Sequence, residues 1–274
     1  MSESSSGLNP KIFLSRLEWR QNIIYVGFVA VFLFFLILLG DSGFASPNNI
    51  LNIFRQTATI SIMAVAMTYV IAAAEIDLSV GSVAGLAAVV AAMAVNNYGL
   101  VVGVLAGLAV GVASGSLSGS LVAFLKVPSF LVTLGMLGML VGIARWITDS
   151  APVPISNQAF ITIFGGGSVG PIPSLMIWVV VATALAALVM NKGTFGRHVR
   201  ATGGNVVAAA YSGVNTVRIK FTVLLMSGVA ASIAGMLYAG RLQSGRFQWG
   251  TGDELSVIAA VILGGTSLFG GRGA

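Results

Sequence analysis

Long apolar runs separated by short polar intervals make up most of this chain. Spanning a hydrocarbon core about 30 Å thick takes a helix of about 20 apolar residues, and seven runs approach or exceed that length. An incomplete eighth run extends from 255 to 271. We therefore predict an all-α polytopic membrane protein with about eight membrane segments in one transmembrane domain, 1–274. The seven predicted spans are 23–40, 58–74, 80–95, 100–125, 130–147, 175–190 and 221–240.

Two of the shorter runs, 58–74 and 80–95, are separated only by the sequence Glu-Ile-Asp-Leu-Ser at 75–79. Such runs predict broken or re-entrant helices that meet inside the protein, where irregular backbone is tolerated. Glu75 and Asp77 then have two interpretations. Either they face a cavity or a partner, as ionisable groups in membranes usually do, or Ser79 caps the next helix with Asp77 near its positive end. The second interpretation is the stronger.

Composition excludes a soluble domain and several kinds of chemistry. Hydrophobic residues make up 57% of the chain and charged residues 8%, against about 45–50% and about 25% in soluble domains. The chain has no cysteine and one histidine, His198, so we expect neither a metal site nor enzymatic catalysis. The net charge is +6. Because the chain has few charged residues, this excess is explained by the Lys and Arg residues that cytoplasmic loops of membrane proteins carry. We expect no nucleic-acid partner.

The cations indicate which loops face the cytoplasm. The interval 191–220 carries five Lys or Arg residues and no acidic residue, which is typical of a cytoplasmic loop. If each run crosses once, nine cations lie inside and four outside, so we expect a cytoplasmic N-terminal segment, 1–21. The interval 149–174 is then the largest external loop, either a docking surface or a structured hairpin. Near its start, Arg145 either pairs with Asp149 four residues on or lines the pathway, and the pair is the stronger interpretation.

Glycine recurs at every fourth position through the run 100–125. Small residues at this spacing let membrane helices approach closely. Four residues exceed one helical turn by about 40°, so the row of glycines, or glycine ladder, winds around the helix and can contact more than one neighbouring helix. The later run 221–240 has small residues at the same four-residue spacing: Ser227, Ala231, Gly235 and Ala239. We expect these residues to pack helices rather than to bind substrate. The principal ladder positions are Gly103, Gly107, Gly111 and Gly115.

A short helix is predicted at about 206–213 inside the cationic loop. Gly203-Gly204-Asn205 precedes it and Gly213 ends it; the glycines favour tight turns. Small residues along the helix permit a partner surface to approach. We expect Ala209 to face that partner.

Several motifs, in order along nearly the whole chain, carry a resemblance to a known family. They are Asn49-Ile-Leu-Asn52 with Arg55-Gln56, Glu75 to Ser82, Pro128 to Gly135, Phe195-Gly-Arg197, Gly203-Gly-Asn205 with Ala208-Ala209 and Ser212-Gly213, and Gly264 to Gly273. The chain resembles the permease subunit of ribose-type, monosaccharide ABC importers, in the family that includes branched-chain amino-acid permeases.

The resemblance implies a transport subunit of the bacterial inner membrane that performs no covalent chemistry. Its partners would be a second permease subunit, a cytoplasmic ATPase that binds ATP and Mg, and a periplasmic sugar-binding protein; this chain would hold no cofactor. In the family the loop helix docks on the ATPase. That role carries over to Gly203, Gly204, Asn205, Ala208, Ala209, Ser212 and Gly213.

A sugar pathway needs hydroxyl or amide partners, and the candidates are Gln56, Ser79, Ser129 and Thr133. Two features depart from the family: Val206-Val207 stands where acidic residues are common, and members continue through further spans beyond the position of Ala274. The alternative function is an ion-coupled secondary transporter or channel. It would require an internal repeat or an acid cluster at mid-membrane, and the sequence shows neither clearly.

Overall fold

The structure, a computed structural model, describes residues 19–273, with side chains described from Val26 onward. The expected cytoplasmic segment 1–21 therefore lies largely outside the described residues. The described residues form two compact units, 19–51 and 52–273. The long helices are α1 (Trp19–Leu39), α2 (Pro47–Ala72), α3 (Val80–Tyr98), α4 (Leu100–Ala123), α5 (Ser129–Thr148), α7 (Ser174–Lys192) and α10 (Thr216–Arg241), and the shorter ones are α6 (Gln158–Ile161), α8 (Thr194–Gly204), α9 (Val206–Tyr211) and α11 (Asp253–Leu263).

The first unit consists of α1, a turn and the start of α2. Phe44 in the turn contacts the rings of Phe32 and Phe35, with centroids 5.5 and 5.9 Å apart. Asn49 donates from its side-chain amide to the Phe44 carbonyl at 2.7 Å. Pro47 opens α2, a position where proline's missing N–H has no consequence. The turn is thus fixed by one aromatic side chain and one amide.

Six described helices are long and apolar enough to span a membrane: α2, α3, α4, α5, α7 and α10. The described apolar part of α1, Val26–Leu39, is shorter. The predicted all-α polytopic class is confirmed, whereas the expected count of eight segments is not. Helix α3 is central, because 78% of its apolar window is buried, against 11–56% in the other five.

The glycine ladder of α4 lies along α3 and α10. A methyl group added to Gly103 would lie 2.7 Å from Val95 of α3, and one added to Gly107 would meet Met236 of α10 at 2.8 Å. At Gly111 it would contact the Gly228 carbonyl directly. Backbone approach of this kind is what glycine permits between membrane helices.

Helix α2 corrects the prediction of a short span at 58–74. It has 26 residues and so measures about 39 Å at 1.5 Å per residue, enough to cross a membrane alone. The break that follows it, 73–79, is real, and Ala74 adopts a positive φ of 61° there. The sequence pattern missed the residues of α2 before position 58, because polar residues interrupt the apolar run there: Asn48, Asn49, Asn52, Arg55 and Gln56.

The predicted eighth span, 255–271, is also wrong in its bounds. Helix α11 ends at Leu263, and two glycines follow, of which Gly265 has a φ of +101°. Its 11 residues reach only about 16 Å at 1.5 Å per residue. The preceding segment, 242–252, runs along α3, with Gly245 against Ala88 and Gly250 against Gly81. The segment and the half-length helix together lead from the end of α10 to Gly271, whose N–H donates to the Ala72 carbonyl at the end of α2.

The segment 149–173 is a structured connection. Its strand β1 (Val153–Pro154) pairs antiparallel with β4 (Ser244–Gly245), and β2 (Ser168–Val169) forms a hairpin with β3 (Ile172–Pro173). Between them lie α6 and a π-helical turn, Thr162–Gly166. The structured hairpin, one of the two interpretations from the sequence, is present.

Candidate functional site

The short helix α9 is the centre of the loop that follows α8. Asn205 caps it: the side-chain oxygen accepts hydrogen bonds from the backbone N–H groups of Val207 and Ala208 at 3.0 and 2.9 Å. Such a cap satisfies amide groups that the first turn leaves free. The helix ends at Tyr211, two residues before the predicted end, and Gly213 follows with a φ of +85°. The Ser212 hydroxyl donates back to the Ala208 carbonyl at 2.9 Å.

The two faces of α9 differ in exposure. Val206, Val207 and Tyr211 are 42%, 59% and 90% exposed, whereas Ala209 is 5% exposed. The Ala209 carbonyl also accepts a hydrogen bond from the Val214 N–H at 3.0 Å. The prediction that Ala209 faces a partner is therefore wrong, because its side chain faces this chain. The surface that α9 offers is instead apolar and aromatic.

Gly203 and Gly204, in the last turn of α8, lie against two distant segments. A methyl group on Gly203 would contact the backbone carbonyl of Ala72, the last residue of α2. The same carbonyl accepts from the Gly271 N–H at 3.0 Å. At Gly204 the nearest atom would be the Gly271 Cα at 3.7 Å. The loop is thus packed onto the end of α2 through main-chain atoms.

Helix α9 also borders a groove at this end of the bundle. The groove has a volume of about 770 Å³ and runs between the end of α4 and the start of α10. Its lining combines apolar residues with a few charged and polar groups. They are Glu75, Val122, Ala123, Lys126, Val127, Pro128, Val206, Val207, Ala210, Tyr211, Thr216, Val217 and Lys220.

The break 73–79 between α2 and α3 brings three of the four pathway candidates together. Ser129 at the start of α5 accepts a hydrogen bond from the Ile76 N–H at 3.1 Å. Thr133 donates to the Ser129 carbonyl at 2.8 Å and approaches the Ile76 carbonyl at 3.4 Å. Ser79 donates to Asp77 Oδ1 at 2.6 Å. All three side chains are buried, and each is hydrogen-bonded within the chain.

Gln56, the fourth candidate, lies apart from the other three and is exposed. It precedes the end of α2 by 16 residues, or about 24 Å at 1.5 Å per residue. The structure therefore gives two separate places rather than one polar cluster.

The capping interpretation of Ser79 needs correction. Ser79 precedes α3 in a helical conformation and its side chain makes no capping hydrogen bond. The carboxylate of Asp77 instead accepts from both the backbone N–H of Ser79, at 2.9 Å, and its hydroxyl. Asp77 is 2% exposed, and these bonds compensate a carboxylate that burial would otherwise penalise. Asp77 therefore stabilises the conformation of the break.

Two charged contacts were not anticipated. Glu75, which is 7% exposed, forms an ion pair with Lys220 of α10, with Oε1 and Nζ 2.5 Å apart. The predicted Arg145–Asp149 pair is absent among the described residues; the Arg145 guanidinium lies over the Phe247 ring, 4.6 Å from its centroid. No local spacing signals either contact, because the partners are far apart in sequence.

A bundle of six helices that are long and apolar enough to span a membrane, with a polar break and an exposed loop helix, is the architecture of a multi-pass membrane protein. Residues 49–271 match the family described as "Branched-chain amino acid transport system / permease component". The chain belongs to this permease family, as the motifs predicted. It is a transport subunit.

Curated relatives agree with this assignment. The probable ABC transporter permease protein YphD of Escherichia coli (strain K12) is 41% identical over 264 residues, covering 96% of this chain and 78% of that protein. The ribose import permease protein RbsC of the same strain is 41% identical over 237 residues, or 84% and 73%. The L-arabinose transport system permease protein AraH of that strain is 36% identical over 276 residues, or 100% and 83%. No solved structure matches the chain significantly.

Proposed function

We propose that this chain imports a monosaccharide or a related small polar solute across the bacterial inner membrane. ATP hydrolysis by a separate ATPase drives the transport, and a second permease subunit and a periplasmic binding protein complete the transporter. Two of the relatives are a ribose import permease and an L-arabinose transport permease, which supports this substrate class. ATP and Mg would be bound by the ATPase, so this chain needs no cofactor.

One structural observation carries the ATPase part of the proposal. Helix α9 exposes Val206, Val207 and Tyr211 in a loop, 191–220, that has five cations and no acidic residue. Exposed apolar residues grouped together with a charged surround are typical of protein interfaces. Helix α9 is capped and follows α8, whose Gly203 packs on the end of α2, so a protein bound to α9 is positioned to act on the membrane helices.

The docking surface is tested by Val207→Glu. A carboxylate there would be desolvated in an apolar contact, which is costly when no partner neutralises it. We expect the ATPase to be lost from the purified complex and uptake to fall, with the folded yield unchanged because Val207 is 59% exposed. Val169→Glu is the matched control, since Val169 is 69% exposed and lies in the β2–β3 hairpin, away from α9. Retention of the ATPase and of uptake in Val207→Glu would contradict the docking role.

Substrate and energy source are tested together in cells that lack their own pentose importers. We expect uptake of labelled ribose or arabinose that stops when ATP is depleted and continues when a protonophore collapses the proton gradient. Uptake that follows the gradient instead would favour the ion-coupled alternative.

A further inference from the structure

Glu75 and Lys220 join the membrane part of the chain to its loop end. Glu75 lies in the break between α2 and α3, and Lys220 lies in the second turn of α10. Their side chains are 7% and 29% exposed, and the Oε1–Nζ distance is 2.5 Å. Among the residues whose side chains are described, 26–273, no other ion pair is present. Charges are weakly screened in such a partly buried place, so this contact is more than a surface pair.

On the loop side, Lys220 is connected to α9 by a short and well-fixed turn. Residues 212–215 separate the two helices. Within that turn the Val214 N–H donates to the Ala209 carbonyl at 3.0 Å, and the side chain of Asn215 caps α10 by accepting from the Arg218 N–H at 3.0 Å. A displacement of α9 therefore moves the first turns of α10 with it.

On the membrane side, Glu75 belongs to a segment that three helices share. The break 73–79 joins α2 to α3 covalently, and Ile76 is hydrogen-bonded to Ser129 of α5 at 3.1 Å. The end of α2 also touches the loop a second time, where Gly203 packs on the Ala72 carbonyl. The loop end thus makes two independent contacts here, one with Glu75 in the break and one with Ala72 at the end of α2.

We propose that the Glu75–Lys220 ion pair transmits movement of α9 to the joint between α2 and α3, which makes both residues positioning residues for transport. This rests on the proposed function, in which a protein drives α9. A buried carboxylate that loses its partner is strongly destabilised. The joint consequently follows Lys220 when α10 moves, and α2, α3 and α5 move with it.

The test uses the complete transporter in vesicles, with its ATPase and binding protein. ATP hydrolysis is measured without and with sugar-loaded binding protein, beside sugar uptake. We expect Glu75→Gln and Lys220→Met each to lower uptake and the stimulated hydrolysis about tenfold, within the range of about 5- to 150-fold typical of coupled sites. In Glu75→Gln, which leaves no buried carboxylate unpaired, the folded yield and basal hydrolysis should stay near wild type. Lys220→Met leaves the Glu75 carboxylate unpaired, so its activities are compared per amount of folded protein. Lys220→Arg, which keeps the charge, should retain stimulation.

Two further variants separate transmission from stability. The exchange Glu75→Lys with Lys220→Glu restores an ion pair and should recover most of the stimulation. Lys126→Met removes a cation from the same groove but leaves the pair intact, and should behave as wild type. The proposal would be overturned if sugar-loaded binding protein stimulated ATP hydrolysis equally in Glu75→Gln and Lys126→Met. It would also be overturned if the exchange variant folded but did not recover the stimulated hydrolysis. A wild-type transporter that shows neither uptake nor stimulation would instead overturn the proposed function.

Discussion

Gly203 and Gly204 are neighbours in α8, yet an added methyl group would meet different surroundings at the two positions. Gly203 faces the Ala72 carbonyl, a main-chain atom that cannot move aside without shifting α2. Gly204 has only the Gly271 Cα, at an ordinary 3.7 Å. The sequence marked both as turn residues before a helix, because glycines favour such turns, but close approach to a residue over a hundred positions away leaves no local pattern.

Gly203→Ala and Gly204→Ala form a matched pair of variants that tests the packing of α8 on α2. We expect Gly203→Ala to lower the free energy of unfolding by about 1–3 kcal/mol, as overpacking usually does, and Gly204→Ala to be neutral or slightly stabilising, since alanine favours helices over glycine by up to about 1 kcal/mol. Thermal unfolding in detergent measures both. Equal midpoints for the two variants would show that α8 does not rest on α2 as described.

Helix pairing depends on small residues whose spacing was visible in the sequence. The four-residue period of α4 indicated close approach, but the identity of the neighbours follows only from the fold, which places α10 along Gly107, Gly111 and Gly115. Apolar runs located most spans within a few residues. They failed at the start of α2, where polar residues interrupt the apolar pattern and Asn52 accepts from the Arg55 side chain at 3.0 Å. They also failed after Leu263, where glycines end a half-length helix.

The ladder is tested by Gly111→Leu against Gly138→Leu. A side chain at Gly111 would strike the Gly228 carbonyl and Ser232, whereas at Gly138 no atom lies within 4 Å of an added methyl group. We expect Gly111→Leu to separate α4 from α10 and to reduce the yield of folded protein in detergent sharply. Gly138→Leu should leave that yield near wild type. Normal yield and uptake in Gly111→Leu would mean that this face of α4 does not pack against α10.

At the scale of the whole molecule, the loop end and the β2–β3 hairpin lie at opposite ends of the long helices. Helices α7 and α10 each connect the two: α7 begins next to β3 and leads into α8, and α10 begins after α9 and ends near β4. The sequence predicted this division from the distribution of cations and predicted the exposed helix from its capping residues. It did not predict the Glu75–Lys220 pair, because a charge in the break and a charge in α10 become neighbours only once the bundle has formed.

Cysteine labelling tests the orientation of the two ends in the membrane. If the cationic loop is cytoplasmic, Tyr211→Cys should react with a membrane-impermeant thiol reagent only after the cells are permeabilised, whereas Ser168→Cys in the hairpin should react in intact spheroplasts. Tyr211 is chosen because it is 90% exposed, while Thr202 in the same loop is 2% exposed and would be protected in either orientation. The native chain has no cysteine, so the signal comes from the introduced thiol alone. The permease is expressed without its ATPase, which would otherwise cover Tyr211. Labelling of Tyr211→Cys in intact spheroplasts would place α9 outside the cell, out of reach of any cytoplasmic ATPase.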